Sequence, residues 1–277
     1  MMNRRLLVFL AVFLGAGVLA PAAALAERLV IPGSGNPEYA LARLAEAFNA
    51  RQAEHQVSVP TSVGTAGALR EVESGAASLG RVGRPLKAEE AARGLVYVPL
   101  GRDPVVFAAG ADVTVRAITA GQVLAIYSGT LTDWKELGGR SGPIRAIGRE
   151  VSDASRLAIG RHLRQFGEMV FPGTIKVVHL DPQLVELLDR YPTSLGFLNL
   201  SGLKACTSKV VHLAFDNVEP TLENLDAGRY PLWIEFGLVY SKANGLTPAG
   251  KAFLAFIESP AGGDVLRGLG VLPVTAH

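Results

Sequence analysis

The chain has 277 residues, with 27 lysines and arginines against 25 aspartates and glutamates, a formal charge of +2 and 7% aromatic residues. So balanced a charge with so few aromatics argues against a nucleic-acid binder by bulk electrostatics. Its single cysteine, Cys206, excludes an internal disulfide, and without a C-x-x-C pair no thiolate metal site is expected.

The first 26 residues read as a targeting segment. Arg4 and Arg5 open it, Leu6 to Ala20 form an apolar run, and Ala24-Leu25-Ala26 supplies small residues for cleavage. The run is short for a membrane span. A cleavable signal peptide over residues 1–26 and export to a periplasm are therefore expected. The residue directly after the cleavage position is Glu27 and not a cysteine, so a lipid anchor is not expected there. Removal takes away two arginines and no acid, leaving a formal charge of 0.

Short apolar runs then alternate with helical patterns, which predicts an α/β fold with largely parallel sheets. Arg28–Pro32 reads as the first strand. The turn Gly33-Ser-Gly-Asn-Pro37 follows, with Asn36 placed as a helix N-cap and Pro37 at the first helical position. Leu41, Leu44, Ala45 and Phe48 recur at helical spacing up to about Asn49. Gln56–Val59 predicts a second strand and Val63–Gly67 the entry to a short helix. Ser78–Val82 and Leu95–Leu100 predict the next two strands. Asp103–Ala109 and Leu232–Tyr240 are apolar extended runs. Between them, helices are predicted around 119–126, 154–166 and 182–188, and strands at 144–147, 175–178, 195–199 and 210–214. Two further helices follow, near 248–257 and 262–269. Neither internal repeats nor low-complexity linkers are present.

Three turns carry candidate chemistry. A tetrahedral oxyanion must exchange its hydration shell for donors, and backbone N–H groups at helix starts supply them at small conformational cost. Ser34 and Gly35 lie in one such turn, where Ser34 either faces a ligand or caps its own helix. Gly64 and Thr65 lie in a second, with Ser62 as a competing hydroxyl. Arg149 closes an apolar strand just before a polar helix start. Its planar fork stays charged at any working pH; the alternative is a surface arginine paired with Glu150 or Asp153. Asp153 is equally suited to a plain helix N-cap. The histidines show no H-E-x-x-H or other ligand spacing. A hydrolase built on Ser152 or Ser155 is disfavoured because no G-x-S-x-G is present. The expectation is a binding protein without metal or cofactor, not an enzyme.

The stretch Ile126-Tyr-Ser-Gly-Thr-Leu-Thr-Asp-Trp-Lys-Glu-Leu-Gly-Gly139, followed by Gly142-Pro-Ile-Arg-Ala-Ile-Gly-Arg149, resembles the phosphate-binding proteins of bacterial ABC importers. Gly33-Ser-Gly resembles that family's first ligand loop, Gly64-Thr-Ala-Gly67 its second, and Gly83-Arg-Pro-Leu86 its "sRpL" segment. Thr193–Phe197, Tyr230–Leu232, Phe253–Pro260 and Gly270–Pro273 resemble later segments in the same order. The resemblance implies a two-lobed α/β periplasmic-binding-protein (type 2) fold. Each lobe would be a mixed sheet flanked by helices, with the ligand in a cleft between them. Lobe 1 would be 27–102 plus 236–277, and lobe 2 would be 103–235. It implies capture of phosphate or a related oxyanion by a monomer, hinge closure near Arg102–Val105 and Leu232–Phe236, and delivery to an ABC-type membrane permease.

On this resemblance the ligand residues are Ser34, Gly35, Gly64, Thr65, Arg149, Ala154 and Ser155, with Arg84 and Ser62 as secondary candidates. The chain departs from the family at two places. Asp153-Ala-Ser155 stands where the family has Ser-Gly-Thr, and Ser78-Leu-Gly80 where it has Asp-Ile-Gly. One expectation covers both. The carboxylate has moved to the helix start, Asp153 accepts the proton of a phosphate, Ser78 donates, and fully ionised sulfate binds poorly. The alternative is the same fold with a lost or changed phosphate site, acting as a sensory or scaffold protein or binding another ligand.

Overall fold

The computed structural model describes residues 27–206 and 208–274; the expected signal segment lies outside the described residues. Strands β1 (Glu27–Val30), β2 (His55–Ser58) and β3 (Gly80–Val82) alternate with helices α1 (Glu38–Asn49), α2 (Gly64–Glu73) and α3 (Ala88–Ala91). Then come β4 (Leu95–Ala109), β5 (Ala117–Ile118), α4 (Ala120–Tyr127), β6 (Arg145–Arg149), α5 (Ala154–His162), α6 (Arg164–Glu168), β7 (Lys176–Val178) and α7 (Asp181–Arg190). The chain continues through β8 (Ser194–Asn199), α8 (Leu200–Ala205), β9 (Val211–Phe215) and α9 (Leu222–Asp226). It closes with β10 (Trp233–Ser241), α10 (Pro248–Glu258), α11 (Pro260–Gly268) and β11 (Leu272–Pro273).

The order confirms an α/β fold, but the sheets are mixed rather than largely parallel. The pairs β1–β2, β6–β7, β6–β8 and β5–β9 are parallel, whereas β4 runs antiparallel to β10, β11, β8 and β9. The reason lies in β4. The predicted strand at 95–100 and the extended run at 103–109 are one continuous strand of 15 residues. Its first part, Leu95–Pro104, pairs with β10, and its second part, Val105–Ala109, pairs with β8. A strand that passes from one sheet into the other changes partners midway, and β10 returns along it in the opposite direction. The result is a two-lobed mixed sheet flanked by helices.

Apolar side chains fill each lobe. Phe48 of α1 meets Phe253 and Phe256 of α10 with ring centroids 5.4 and 5.6 Å apart. In the second lobe Tyr127, Phe166, Phe171, Phe197 and Phe107 form one aromatic cluster. Tyr127 is fully buried, and its hydroxyl donates to the Ile147 carbonyl at 3.0 Å. A fully buried ring of this kind contributes about 1.5–3 kcal/mol.

The predicted helix over 154–166 is two helices broken at Leu163. A Cβ on Gly160 would lie 2.8 Å from the Gly167 Cα, so the two short helices cross with their backbones in contact. A continuous helix could not make that crossing. Among the described residues, no helix is long and apolar enough to cross a membrane.

Candidate functional site

Parallel α/β units bind ligands beyond the carboxyl ends of their strands, where helices begin. Here a cleft of about 560 Å³ opens at that end, lined from the first lobe by Ser34, Gly35, Ser62, Gly64, Thr65 and Arg84, and from the second by Arg149, Asp153 and Ala154.

The first wall is built around a buried arginine. Arg81 is fully buried on β3. Its Nε donates to the Ser34 carbonyl at 2.8 Å and its Nη2 to the Pro60 carbonyl at 2.6 Å, while Nη2 also pairs with Glu38 Oε2 at 2.9 Å. The guanidinium therefore ties the turn before α1 to the turn before α2. Gly33 permits this: at φ 151° its Cβ would sit 2.0 Å from the Arg81 carbonyl oxygen, which accepts from Ser34 N at 3.0 Å.

Ser62 braces the same two turns. Its hydroxyl donates to the Gly33 carbonyl at 3.1 Å and accepts from Gly64 N at 3.2 Å. Ser62 thus lines the cleft with its donor already engaged. Arg84 is engaged too, as a bidentate pair with Glu90 at 2.7 Å on both branches. Hydrogen bonding to Arg84, ahead of the opposing effect of burial, holds the Glu90 carboxyl down at about 2.

The second wall begins where β6 ends. Arg149 is 4% exposed. Its Nη2 lies 2.8 Å from Asp153 Oδ2 and donates to the His179 carbonyl at 3.1 Å, while Nη1 pairs with Asp181 Oδ1. Burial opposes the charge on Arg149, but Asp181 and Asp153 outweigh it and hold the guanidinium above its ordinary value. Asp153 also caps α5, its Oδ1 accepting from Arg156 N at 3.0 Å. Burial pushes the Asp153 carboxyl up, against the pull of Arg149. Both readings of Asp153 as a structural group, N-cap and partner of Arg149, hold at once.

The two walls meet at Gly83. A Cβ there would come 3.0 Å from Ser34 Oγ, 3.5 Å from the Ala154 Cβ and 3.7 Å from Asn36 Oδ1. The starts of α1 and α5 thus converge on one point, with the start of α2 on the same cleft.

Two sequence candidates fall elsewhere. Ser155 is fully buried beneath the cleft rather than lining it. It accepts from Asn36 Nδ2 at 3.0 Å and donates to Asn199 Oδ1 at 2.8 Å. Ser78 precedes β3, whereas the cleft opens past the other end of that strand at Gly83. Its Oγ is buried without a hydrogen-bond partner among the described residues. The paired exchange of a carboxylate at 153 for a hydroxyl at 78 therefore does not operate across one site.

Asn36 is also not the cap it was expected to be. Pro37 occupies the N-cap of α1 without a side-chain cap bond, and the Asn36 amide crosses to Ser155 and to Asn199 Oδ1, the latter at 3.0 Å. Sequence reasoning missed Asp181, Asn199 and the cleft-lining Lys87 and Arg161. Asp181 sits beside Pro182 at a helix start, a signal of position but not of its partner. Among the described residues, no group of three or more His, Cys, Asp or Glu could hold a metal.

A family model described as the PBP superfamily domain matches residues 20–261. The chain belongs to the PBP superfamily. Within the superfamily, it is 25% identical over 254 residues to the phosphate-binding protein PstS of Bacillus subtilis (strain 168), covering 89% of this chain and 81% of that one. It is also similar to a Clostridium perfringens protein described as a phosphate ABC transporter substrate-binding protein and solved with bound phosphate. That likeness has a TM-score of 0.77 and 26% identity, over 90% of this chain and 100% of that one. An ABC-type phosphate transport receptor from Vibrio cholerae, at 24% identity and TM-score 0.63, shares the fold.

Proposed function

We propose that this protein captures inorganic phosphate, or a close oxyanion, in the cleft and presents it to an ABC-type membrane permease. The observation that carries this reading is the convergence of the starts of α1, α2 and α5 with Arg149 on one cleft. Free N–H groups and the positive ends of helix dipoles favour an anion there. In this reading the Ser34 and Thr65 hydroxyls and the Gly35, Thr65 and Ala154 backbone N–H groups supply donors, Arg149 supplies charge, Gly64 shapes the turn with its N–H held by Ser62, and Ser62 and Arg81 hold the loops in place. The protein acts by binding, without catalysis, as a monomer.

Capture proceeds by hinge closure between lobe 1 (27–102 plus 236–277) and lobe 2 (103–235). The change of partner along β4 between Pro104 and Val105 supports a hinge in that region. Residues 1–26 direct export to the periplasm and are removed there. The PstS relative and the phosphate-bound neighbour support the ligand class.

The test is a thermal melt of residues 27–277, refolded to strip carried-over ligand, with and without phosphate. A ligand present at a hundred times its Kd adds about 2.7 kcal/mol of stability. A raised melting temperature with phosphate is expected. An unchanged melt with millimolar phosphate at every pH from 5 to 8.5 contradicts the reading.

A further inference from the structure

The cleft is larger than a free oxyanion needs. Its volume of about 560 Å³ falls in the range of clefts that hold organic ligands, and one phosphorus with its oxygens occupies a small part of it. The remaining space is not removed by drawing the walls together at the floor, because the floor is already joined. Asn36 Nδ2 donates to Ser155 Oγ and to Asn199 Oδ1, both at 3.0 Å. That space follows α5. Ala154, Leu157 and Arg161 all line the cleft, and their i, i+3, i+7 spacing puts them on one face of the helix. The helix rises roughly 10 Å from the first to the last, and helical side chains lean back toward the N-terminus. The face reads, from the anion end outward, as backbone donor, apolar side chain and cation. Leu157 is left 46% exposed in the middle of it.

Most charges on the cleft are already committed. Arg149 is paired with Asp153 and Asp181, Arg84 with Glu90, and Glu150 is bonded to His179. Two cations are not. Arg161 has no acidic partner among the described residues; its Nη2 donates to the Trp233 carbonyl at 2.9 Å, which fixes the guanidinium at the outer end of the cleft. Burial disfavours its charge, and no acid offsets this. Lys87, on the opposite wall, has its Nζ 4.0 Å from Glu89 Oε1, with both side chains more than half exposed. Such a pair contributes little. Uncommitted cations at one end of a cleft favour a ligand that is negative there.

We infer that the cleft is shaped for an organic phosphate or phosphonate that carries a second acidic group. The phosphoryl group sits at the starts of α1, α2 and α5, the apolar segment lies over Leu157, and the second acid meets Arg161 and Lys87. This inference rests on the reading of the cleft as an oxyanion site and names the class of ligand that fills it. Inorganic phosphate occupies only the inner end. The two outer cations stand on opposite walls, so a ligand long enough to reach them also bridges the lobes, which a free oxyanion does only at the floor.

The test is calorimetric titration of residues 27–277, refolded to strip carried-over ligand, with inorganic phosphate and with two matched pairs of phosphonates. Ethylphosphonate is compared with 3-phosphonopropionate, and pentylphosphonate with 6-phosphonohexanoate, so that within each pair only the carboxylate differs. Wild type, Arg161→Gln and Lys87→Gln are measured alike, and the ratio of Kd within a pair cancels any effect of the substitution on the phosphoryl end. In wild type the carboxylate tightens binding at least about tenfold in one of the pairs, the lower end of what a charge-assisted hydrogen bond supplies, and in R161Q and K87Q the ratio falls toward one. No advantage for either carboxylate in wild type, or an advantage that survives in both variants, overturns the inference; binding of inorganic phosphate in the same series leaves the oxyanion reading standing. Tight binding of a phosphonocarboxylate without binding of inorganic phosphate supports the inference and overturns the inorganic ligand. Binding of none of the five compounds by wild type overturns the oxyanion reading and the inference with it.

Discussion

Asn36 and Ser155, 119 residues apart, meet beneath the cleft with Asn36 Nδ2 3.0 Å from Ser155 Oγ. Asn36 precedes α1, Ser155 stands in the first turn of α5, and Asn199 at the end of β8 accepts from both. The three buried side chains form a small polar knot that fastens one wall of the cleft to the other. A buried hydrogen bond contributes about 0.5–1.5 kcal/mol net, and stranding its partner costs about 1–3 kcal/mol.

The knot gives a first prediction. Asn36→Ala removes the shared donor and weakens phosphate binding by about 10- to 100-fold, the equivalent of about 1.4–2.7 kcal/mol. The loss falls on dissociation rate, because the anion donors remain in place. Stopped-flow association and dissociation rates check this, together with small-angle scattering at saturating phosphate, which shows a larger radius of gyration than wild type. Unchanged rates would mean that the knot does not hold the walls together.

A second prediction concerns Asp103, which is fully buried on β4 next to the change of strand partners. Its carboxylate accepts from the backbone N–H of Ser201 at 3.2 Å and from the Ser201 hydroxyl. Burial pushes the carboxyl up to about 7, against these hydrogen bonds. Because the folded value is raised, the folded state binds more protons than the unfolded one across the interval from the ordinary aspartate value up to about 7. The associated stability is therefore complete at low pH and is lost as pH rises through that interval, by up to about 1.4 kcal/mol per pH unit. Asp103→Asn carries no titrating proton there. The melting temperature of D103N relative to wild type rises between pH 4.5 and pH 7.5. A constant difference would contradict this account of Asp103.

Arg81 gives the third. Leaving buried carbonyls without their donor costs about 1–3 kcal/mol each, while Glu38, 28% exposed, keeps access to water. Arg81→Met unpairs Glu38 and strands the Ser34 and Pro60 carbonyls. It should destabilise the fold by that amount for each carbonyl in urea titrations and also weaken phosphate binding, since both loops lose their brace. Full stability in R81M would mean the guanidinium braces nothing.

Much of this architecture is legible in the sequence, because it is local. Glycine at 33 and 64 and proline at 37 mark turns that open helices, and the apolar runs of 2- and 3.6-residue period mark strands and the helices between them. The carboxyl ends of β1 and β6 then place Ser34 and Arg149 on the cleft. What failed to show is whatever depends on contacts made far along the chain. The break at Leu163 comes from Gly160 touching Gly167, which no periodicity records. Ser78 matches a ligand position of the resembling family in sequence alone, and the direction of β3 takes it away from the cleft. Asn36 carries the signature of a helix cap and spends its amide across the cleft floor instead. Asp153 carries that signature as well and does cap its helix, while also pairing with Arg149. A residue type at a helix start fixes what it can donate or accept, and tertiary packing decides to whom.

The most direct test of the central claim is to locate the anion. Crystals of residues 27–277 grown with arsenate, a tetrahedral oxyanion shaped like phosphate, would be measured at the arsenic absorption edge. The predicted result is one strong anomalous peak between the turn at Ser34 and the start of α5, within hydrogen-bond distance of Ser34, Thr65 and the Ala154 amide. No peak in the cleft, with the chain folded as described, would contradict it.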